Sequence, residues 1–262
     1  MDVPFIKIGS GDANNVLLLR KAAKMNIPLV ISTGMQTTET IENIVNIMQA
    51  NNKTDYALLH CISSYPTEAE DCSLPVITNL KTRHPNVVIG YSGHEKGIEI
   101  SKAAVLLGAR IIERHFTLNC NQKGSDHKCS LEPHAFEQLV KDIRRLEKLG
   151  IFSKEQIINK LNSTEVEVAL KDLQFRKILQ CEIACKRKLG KSIVAAKHLK
   201  AGDELKLGDL CIKVSEPIGI SPEYFDTVLG KKLAFNVEED MPLIFNQICS
   251  NSRLRPELQF LR

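Results

Sequence analysis

Over the first 150 residues, short runs of apolar residues alternate with longer stretches in which apolar positions recur every three or four residues. The short runs predict five strands: Phe5–Ile8, Leu29–Ser32, Ala57–His60, Val87–Gly90 and Arg110–Glu113. Each is close to continuously apolar, the pattern of a strand covered on both faces rather than on one. Between the strands, Ile41, Ile44, Val45 and Met48 share one helical face, as do Ile98, Ala103, Ala104 and Leu107 before Gly108 stops the turn. Strands alternating with helices predict an α/β fold with a parallel sheet. A βα barrel and an open sheet both satisfy this pattern, but eight strands close a (β/α)8 barrel and five do not.

Beyond Gly150 the pattern changes. From Ser153 to Lys177, Glu, Lys and Asn separate Ile, Val and Leu residues, which predicts a helical connector. From about Leu189, strands become short and turns frequent: Lys191–Ala195, the turn Ala201-Gly202-Asp203, Leu210–Val214 and Lys232–Val237. The expected organisation is a βα domain over residues 1–150, a connector over 151–188, a small β-rich module over 189–250 and a tail over 251–262. Within the module, Leu189-Gly190-Lys191 recurs as Leu229-Gly230-Lys231, each time before an apolar run and then an acidic turn, which hints at two related halves.

Composition narrows the possibilities. With 262 residues and 43% hydrophobic content the chain can bury a substantial core. Its 35 basic and 31 acidic residues are interspersed and leave a net charge of only +4, which gives no nucleic-acid footprint. No apolar run approaches the roughly 20 residues that span a bilayer, and the start Met1-Asp2-Val3-Pro4-Phe5 lacks the features of a signal peptide. A cytoplasmic location is expected, with the eight scattered cysteines as reduced thiols.

In βα folds of this kind, catalytic groups project from the C-terminal ends of strands. Here His94 and His115 follow two successive strands. Parallel neighbours lie roughly 4.8 Å apart, so two imidazoles placed there can converge on one divalent ion. Taken singly, each histidine reads equally as a structural hydrogen-bonding residue. Ser10, Ser63 and Ser92 occupy three different strand ends beside Gly9, Gly11 and Gly93, an arrangement suited to a carboxylate or phosphate. Serine and glycine also simply make βα turns. The polar loop Lys123-Gly124-Ser125-Asp126-His127 follows the last strand and offers the Asp126 carboxylate to sugar hydroxyls, unless it is merely solvated.

These strand ends resemble those of the sialic acid synthase family, the N-acetylneuraminate and N-acetylneuraminate-9-phosphate synthases. The matching motifs are Phe5-Ile6-Lys7-Ile8-Gly9-Ser10-Gly11-Asp12, Ser32-Thr33-Gly34-Met35, Ser64-Tyr65-Pro66, Gly90-Tyr91-Ser92-Gly93-His94-Glu95, Glu113-Arg114-His115 and Lys123-Gly124-Ser125-Asp126-His127, in the family's order. Leu189-Gly190-Lys191-Ser192-Ile193-Val194-Ala195 is similar to the opening of the antifreeze-like, or SAF, module that follows the barrel in that family. The resemblance implies a partial (β/α)8 TIM barrel, about its last five βα units, followed by a SAF domain. It implies a metal-assisted condensation of phosphoenolpyruvate with N-acetylmannosamine or its 6-phosphate, giving N-acetylneuraminate or its 9-phosphate and phosphate. His94 and His115 would be the catalytic residues and ligands of Mn2+ or Mg2+. Ser10, Ser63 and Ser92 would contact phosphoenolpyruvate, and Tyr65 and Asp126 the sugar. A homodimer in which the SAF modules are exchanged is the arrangement that the resemblance implies.

Three features depart from the family pattern. The chain begins at what resembles the fourth barrel strand, so the lysines and a carboxylate that the family carries on the first three are expected to be missing, at a cost in KM or turnover. Ser63 stands where bacterial relatives carry Asn. The basic run Lys186-Arg187-Lys188-Leu189-Gly190-Lys191 offers no match to the arginine that bacterial members send from the SAF module into a partner's site. Besides an active synthase, the sequence therefore allows a truncated, catalytically inactive isoform or fragment that binds a full-length subunit or ligand. An unrelated metal-dependent aldolase on the same fold is a third reading.

Overall fold

The computed structural model describes residues 3–171 and 175–248. The expected tail over 251–262, and the last two residues of the small module, lie outside them. The chain divides into two compact units, Met1–Gly190 and Lys191–Arg262.

The first unit holds five parallel strands in sequential order: β1 (Ile6–Ile8), β2 (Leu29–Ser32), β3 (Tyr56–Cys61), β4 (Val88–Gly93) and β5 (Ile112–Arg114). All six residues of the central β3 are buried, as its apolar run foretold. Helices α1 (Val16–Ala23), α2 (Thr38–Ala50), α3 (Pro75–Arg83), α4 (Glu99–Leu106) and α5 (Pro133–Leu146) follow the strands in turn. Local chemistry starts and stops them. Asn15 and Thr37 accept the amides of Leu18 and Thr40 as N-caps of α1 and α2, and Pro75 and Pro133 sit in the first turns of α3 and α5. Gly108, at φ +97°, ends α4 in the left-handed region that glycine reaches at little cost.

Three strands run further than the apolar pattern suggests. β3, β4 and β5 continue through Cys61, Gly93 and Arg114 because Cys61 pairs with Ser92, and Ser92 and Gly93 pair with Glu113 and Arg114. Main-chain pairing thus carries polar side chains into the sheet. The sheet also curls. Laid flat, β1 and β5 would stand roughly 19 Å apart at the usual strand spacing, yet Lys7 on β1 reaches within 3.5 Å of the Glu113 carboxylate on β5. The five strands form a half-barrel, with Lys7 and Glu113 meeting across its interior.

The segment after Gly150 packs onto this half-barrel. It contains α6 (Lys154–Leu161), α7 (Thr164–Ala169) and α8 (Ile183–Leu189). Ser153 and Gln156 form a reciprocal capping box at the start of α6. Ile157 and Val166 are wholly buried, and the Ala169 carbonyl accepts the Leu74 amide at 3.0 Å.

In the second unit, β6 (Lys191–Ala195) and β7 (Leu210–Val214) pair antiparallel, and a short helix, α9 (Phe225–Val228), follows. The strand expected over Lys232–Val237 is instead a set of isolated bridges: Lys232 to Glu204, Leu233 to Ile248 and Val237 to Leu199. No ladder forms because successive residues pair with different segments. The two halves hinted at by the repeated tripeptide are present, but in another register. The Gly202 amide donates to Leu233 and the Asp240 amide to Ala195; Leu205 donates to Lys231 and Leu243 to Ile193; Ala196 donates to Asp209 and Ala234 to Gln247. Exchanging each residue with its counterpart 38 positions away, as Gly202 with Asp240, converts one bond of each couple into the other. Leu199 and Val237 exchange both of their bonds at the centre of this symmetry. The tripeptides themselves are 40 residues apart, and their glycines differ in conformation, Gly190 at φ −59° and Gly230 at φ +74°.

Candidate active site

The C-terminal ends of the five strands carry the polar residues that an apolar sheet cannot hold inside. Ser10 follows β1, Thr33 and Gly34 follow β2, Ile62 to Tyr65 follow β3, His94 follows β4 and His115 follows β5. The half-barrel brings His94, His115 and Tyr65 together. The two imidazole centroids are 5.1 Å apart and nearly perpendicular, and the Tyr65 ring lies 4.2 Å from His94 and 5.7 Å from His115.

His94 is buried, and its Nδ1 lies 2.7 Å from the Ile62 carbonyl. That contact makes Nδ1 the protonated nitrogen of the neutral ring and leaves Nε2 with a free lone pair. Burial works to lower the His94 pKa, but the Cys61 thiol, 4.0 Å from Nδ1, and the Ile62 carbonyl outweigh it and hold it above the ordinary value. Burial and the neighbouring His94 lower His115, against the opposing pull of Asp126. The Asp126 carboxylate lies 3.9 Å from His115 Nδ1 and is itself largely exposed. Burial, together with nearby thiols, raises the Tyr65 phenol, which therefore stays protonated.

Beside this cluster lies a small polar cradle. A Cβ added to Gly34 would meet Ser63 Oγ at 2.2 Å, Ser10 Oγ at 2.8 Å and Cys61 Sγ at 3.0 Å. Glycine is required there by close approach, and three polar atoms converge on the space it leaves. Ser10 Oγ accepts the Gly34 amide at 3.0 Å and donates toward Cys61 Sγ at 3.5 Å. Ser63 is wholly buried, and its hydroxyl makes no well-formed hydrogen bond among the described residues, although it lies close enough to the Tyr65 phenol to work against the rise of its pKa. An orphaned buried hydroxyl is costly unless something absent from the folded chain alone bonds to it. Ser92 donates to Glu113 at 2.8 Å and also neighbours the Cys61 thiol of the cradle.

Several residues that sequence reasoning quoted but gave no role belong to this region. Lys7 donates to Ser32 at 2.9 Å and pairs with Glu113, so Ser32, Lys7, Glu113 and Ser92 form a continuous polar chain from β2 to β4. The signal was available: Lys7 is the one charge between Ile6 and Ile8 in a short apolar run. Cys61 is buried, which works to raise its pKa, but His94, Ser10 and Ser92 prevail and hold it below the ordinary thiol value. Behind the histidines, Arg114 pairs with Glu95 at 3.0 Å, and Tyr91 and Ser101 donate to the same carboxylate. The residues adjoining His94 and His115 are thereby tied to each other. A larger cavity opens elsewhere in the unit, lined by Val105, Arg110, Ile112, Val140, Arg144 and Ile151, but it holds no histidine or nucleophile.

The described residues contain no group of three or more His, Cys, Asp or Glu side chains able to hold a metal ion. His94 and His115 supply two imidazoles, and the Nδ1 contact of His94 fixes the tautomer that a ligand needs. Two nitrogens with further positions left to water or substrate fit an open, weakly held divalent cation.

Residues 1–153 match the NeuB family, and residues 190–248 match the SAF domain. The chain belongs to the NeuB family. It is 56% identical to the N-acetylneuraminate-9-phosphate synthase of Drosophila melanogaster over 95% of its own length and 67% of that protein's. With the N-acetylneuraminate-9-phosphate synthase of Homo sapiens it shares 42% identity, over 92% of its length and 61% of the human protein's. This NeuB-family chain thus spans about two thirds of the curated relatives it matches. Its fold is similar to that of the spore coat polysaccharide biosynthesis protein spsE of Bacillus subtilis, with a TM-score of 0.77 at 24% identity, covering 94% of this chain and 68% of that one. The N-acetylneuraminic acid synthetase of Leptospira borgpetersenii aligns at 37% identity and a TM-score of 0.54 over 62% of this chain and 59% of that one. The identities reported for the curated relatives cover both units. Among the described residues, no helix is long and apolar enough to cross a membrane, and the seven described cysteines are free thiols.

Proposed function

We propose that this chain carries a sialic acid synthase site, which condenses phosphoenolpyruvate with N-acetylmannosamine 6-phosphate to give N-acetylneuraminate 9-phosphate and phosphate. The observation that carries the proposal is the cradle at Gly34, with the orphaned Ser63 hydroxyl, set beside the His94–His115–Tyr65 cluster in a NeuB-family chain. The phosphorylated acceptor is preferred because the fly and human relatives are both named 9-phosphate synthases.

In this reading C3 of phosphoenolpyruvate attacks the aldehyde carbon of the open-chain sugar, water adds at C2, and phosphate leaves by cleavage of the C2–O bond. Ser10 and Ser63 present hydroxyls to an anionic group of phosphoenolpyruvate, and Lys7 supplies the positive charge nearby. Ser92 reaches the same substrate from β4, opposite the Glu113 carboxylate. Tyr65, protonated, donates to the sugar, and Asp126 accepts from its hydroxyls. His94 and His115 would hold Mn2+ or Mg2+, which supplies Lewis-acid polarisation of the aldehyde when bound.

A second reading is favoured by the sheet itself, since among the described residues β1 and β5 each pair on one side only. In it the chain is catalytically silent and binds a full-length subunit. Purified protein incubated with phosphoenolpyruvate, Mn2+ and each acceptor in turn separates the two. Phosphate release with product formation supports the synthase, and a preference for unphosphorylated N-acetylmannosamine would correct the acceptor. Folded protein that releases no phosphate but co-purifies with a full-length synthase would favour the second reading.

A further inference from the structure

Glu182 is wholly buried and yet accepts four hydrogen bonds. Its Oε1 takes the Met35 amide at 2.8 Å, the Ser63 amide at 3.0 Å and Arg176 Nη2 at 2.5 Å, while Oε2 takes the Leu179 amide at 3.0 Å. Arg176, 3% exposed, also donates to the Cys61 carbonyl at 3.2 Å. Burial works to raise the Glu182 pKa, but Arg176 and the amides of Leu179 and Ser63 outweigh it and keep the carboxyl ionised.

A buried ion pair is weak support for stability, because apolar residues of similar volume often serve as well. The partners of this pair point to another role. Met35 follows Gly34 directly and sits at φ +60°, a conformation that a non-glycine residue holds only when its surroundings impose it. Ser63 carries the orphaned hydroxyl, and Cys61 the sulfur, that face the space over Gly34. The Met35 and Ser63 amides and the Cys61 carbonyl belong to the ends of β2 and β3 that build the cradle, whereas the pair's other main-chain partners, Leu179 and Lys177, lie in its own segment. No other described side chain bonds to both of those loop amides.

We propose that Arg176 and Glu182 are positioning residues of the anion pocket, with the Glu182 carboxylate clamping the Met35 and Ser63 amides so that the Ser63 and Ser10 hydroxyls converge over Gly34. The inference rests on the reading of that cradle as the phosphoenolpyruvate site. It assigns a role to a segment that follows α7, more than a hundred residues along the chain from the loops it holds.

The test compares the full chain with Glu182→Gln, using phosphoenolpyruvate titration and amide hydrogen exchange resolved at Met35 and Ser63. Lys53→Met is the control. Lys53 is buried and bonded to the Met25 and Ile27 carbonyls and to Asp55, before the start of β3 and so at the other end of the sheet. The expected result for Glu182→Gln is at least tenfold weaker phosphoenolpyruvate binding, with at least tenfold faster exchange at the two amides. Lys53→Met, although destabilised, should change neither. Arg176→Lys, which keeps the charge and loses the reach to Cys61, is the milder variant should Glu182→Gln fail to fold, with the same changes to a smaller extent. Unchanged exchange at Met35 and Ser63, or acceleration equal to that of the whole unit, would overturn the proposal. If the wild-type chain itself binds no phosphoenolpyruvate, the reading of the cradle fails, and the exchange data alone decide whether the pair positions the loops.

Discussion

Gly34→Ala tests the candidate site with a single methyl group. Gly34 lies outside the left-handed region, so alanine meets no backbone penalty of its own; what it meets is Ser63 Oγ at 2.2 Å. Relief to an ordinary contact of about 3.4 Å needs a displacement of about 1 Å by a wholly buried side chain, and such overpacking costs about 1–3 kcal/mol. With a urea dependence of about 2 kcal/mol per molar, the unfolding midpoint should fall by about 0.5–1.5 M. Phosphoenolpyruvate should suffer more, because relief of the clash displaces the Ser10 and Ser63 hydroxyls that its anionic group would meet. A loss of about 3 kcal/mol, roughly a hundredfold in affinity, is expected. Adding Ser63→Ala removes the closest clash, so the double variant should regain about 1 kcal/mol of stability without regaining affinity. Urea titration and calorimetric binding read the two quantities separately. Wild-type phosphoenolpyruvate affinity in Gly34→Ala would refute the cradle as the anion pocket. A double variant no more stable than Gly34→Ala would refute the contact itself.

Three further outcomes are expected. His60 is wholly buried on β3 beside Arg176, and burial and that charge push its pKa down to about 4. Between pH 6.5 and 4 the unfolded chain therefore binds a proton that the folded chain refuses. Stability should fall through that window by about 3 kcal/mol more than in His60→Gln, and equal pH dependence in urea titrations would contradict the assignment. His94→Ala should weaken Mn2+ binding at least tenfold, as read from the paramagnetic resonance of free Mn2+; wild-type affinity would rule out the paired-histidine site. Lys7→Met should raise the KM for phosphoenolpyruvate about tenfold or more. Its thermal midpoint should barely move, since the partly exposed pair with Glu113 contributes about 0–1 kcal/mol. A large loss of stability with KM unchanged would make Lys7 a structural residue.

Much of the fold was legible along the chain because local patterns report which positions are buried. β2, β6 and β7 begin and end where the apolar runs do, Gly108 stops α4, and polar residues follow the strands at the candidate site. Ser10, Ser63, Tyr65, His94 and His115 could be picked from their places at strand ends, since in a parallel sheet those ends all lie on one side.

Other features depend on distances that no local pattern carries. Lys7 meets Glu113 only because five strands curl, and the hydroxyls of Ser10 and Ser63 converge on one spot only because residue 34 is a glycine. In the second unit the sequence repeat pointed to a spacing of 40 residues, whereas main-chain hydrogen bonds, indifferent to side-chain identity, repeat at 38. The segment after Gly150 reads as a polar connector because most of its residues face water. Arg176 and Glu182 are hidden in that pattern: two charges in a charged stretch look solvated until the fold buries them against the loops of β2 and β3. Sequence alone determined that the first unit alternates strands with helices and which strand ends carry polar groups, because both follow from local burial and local caps. Tertiary structure decided which of those groups touch, because contact between residues far apart in the chain is set by strand curvature and packing.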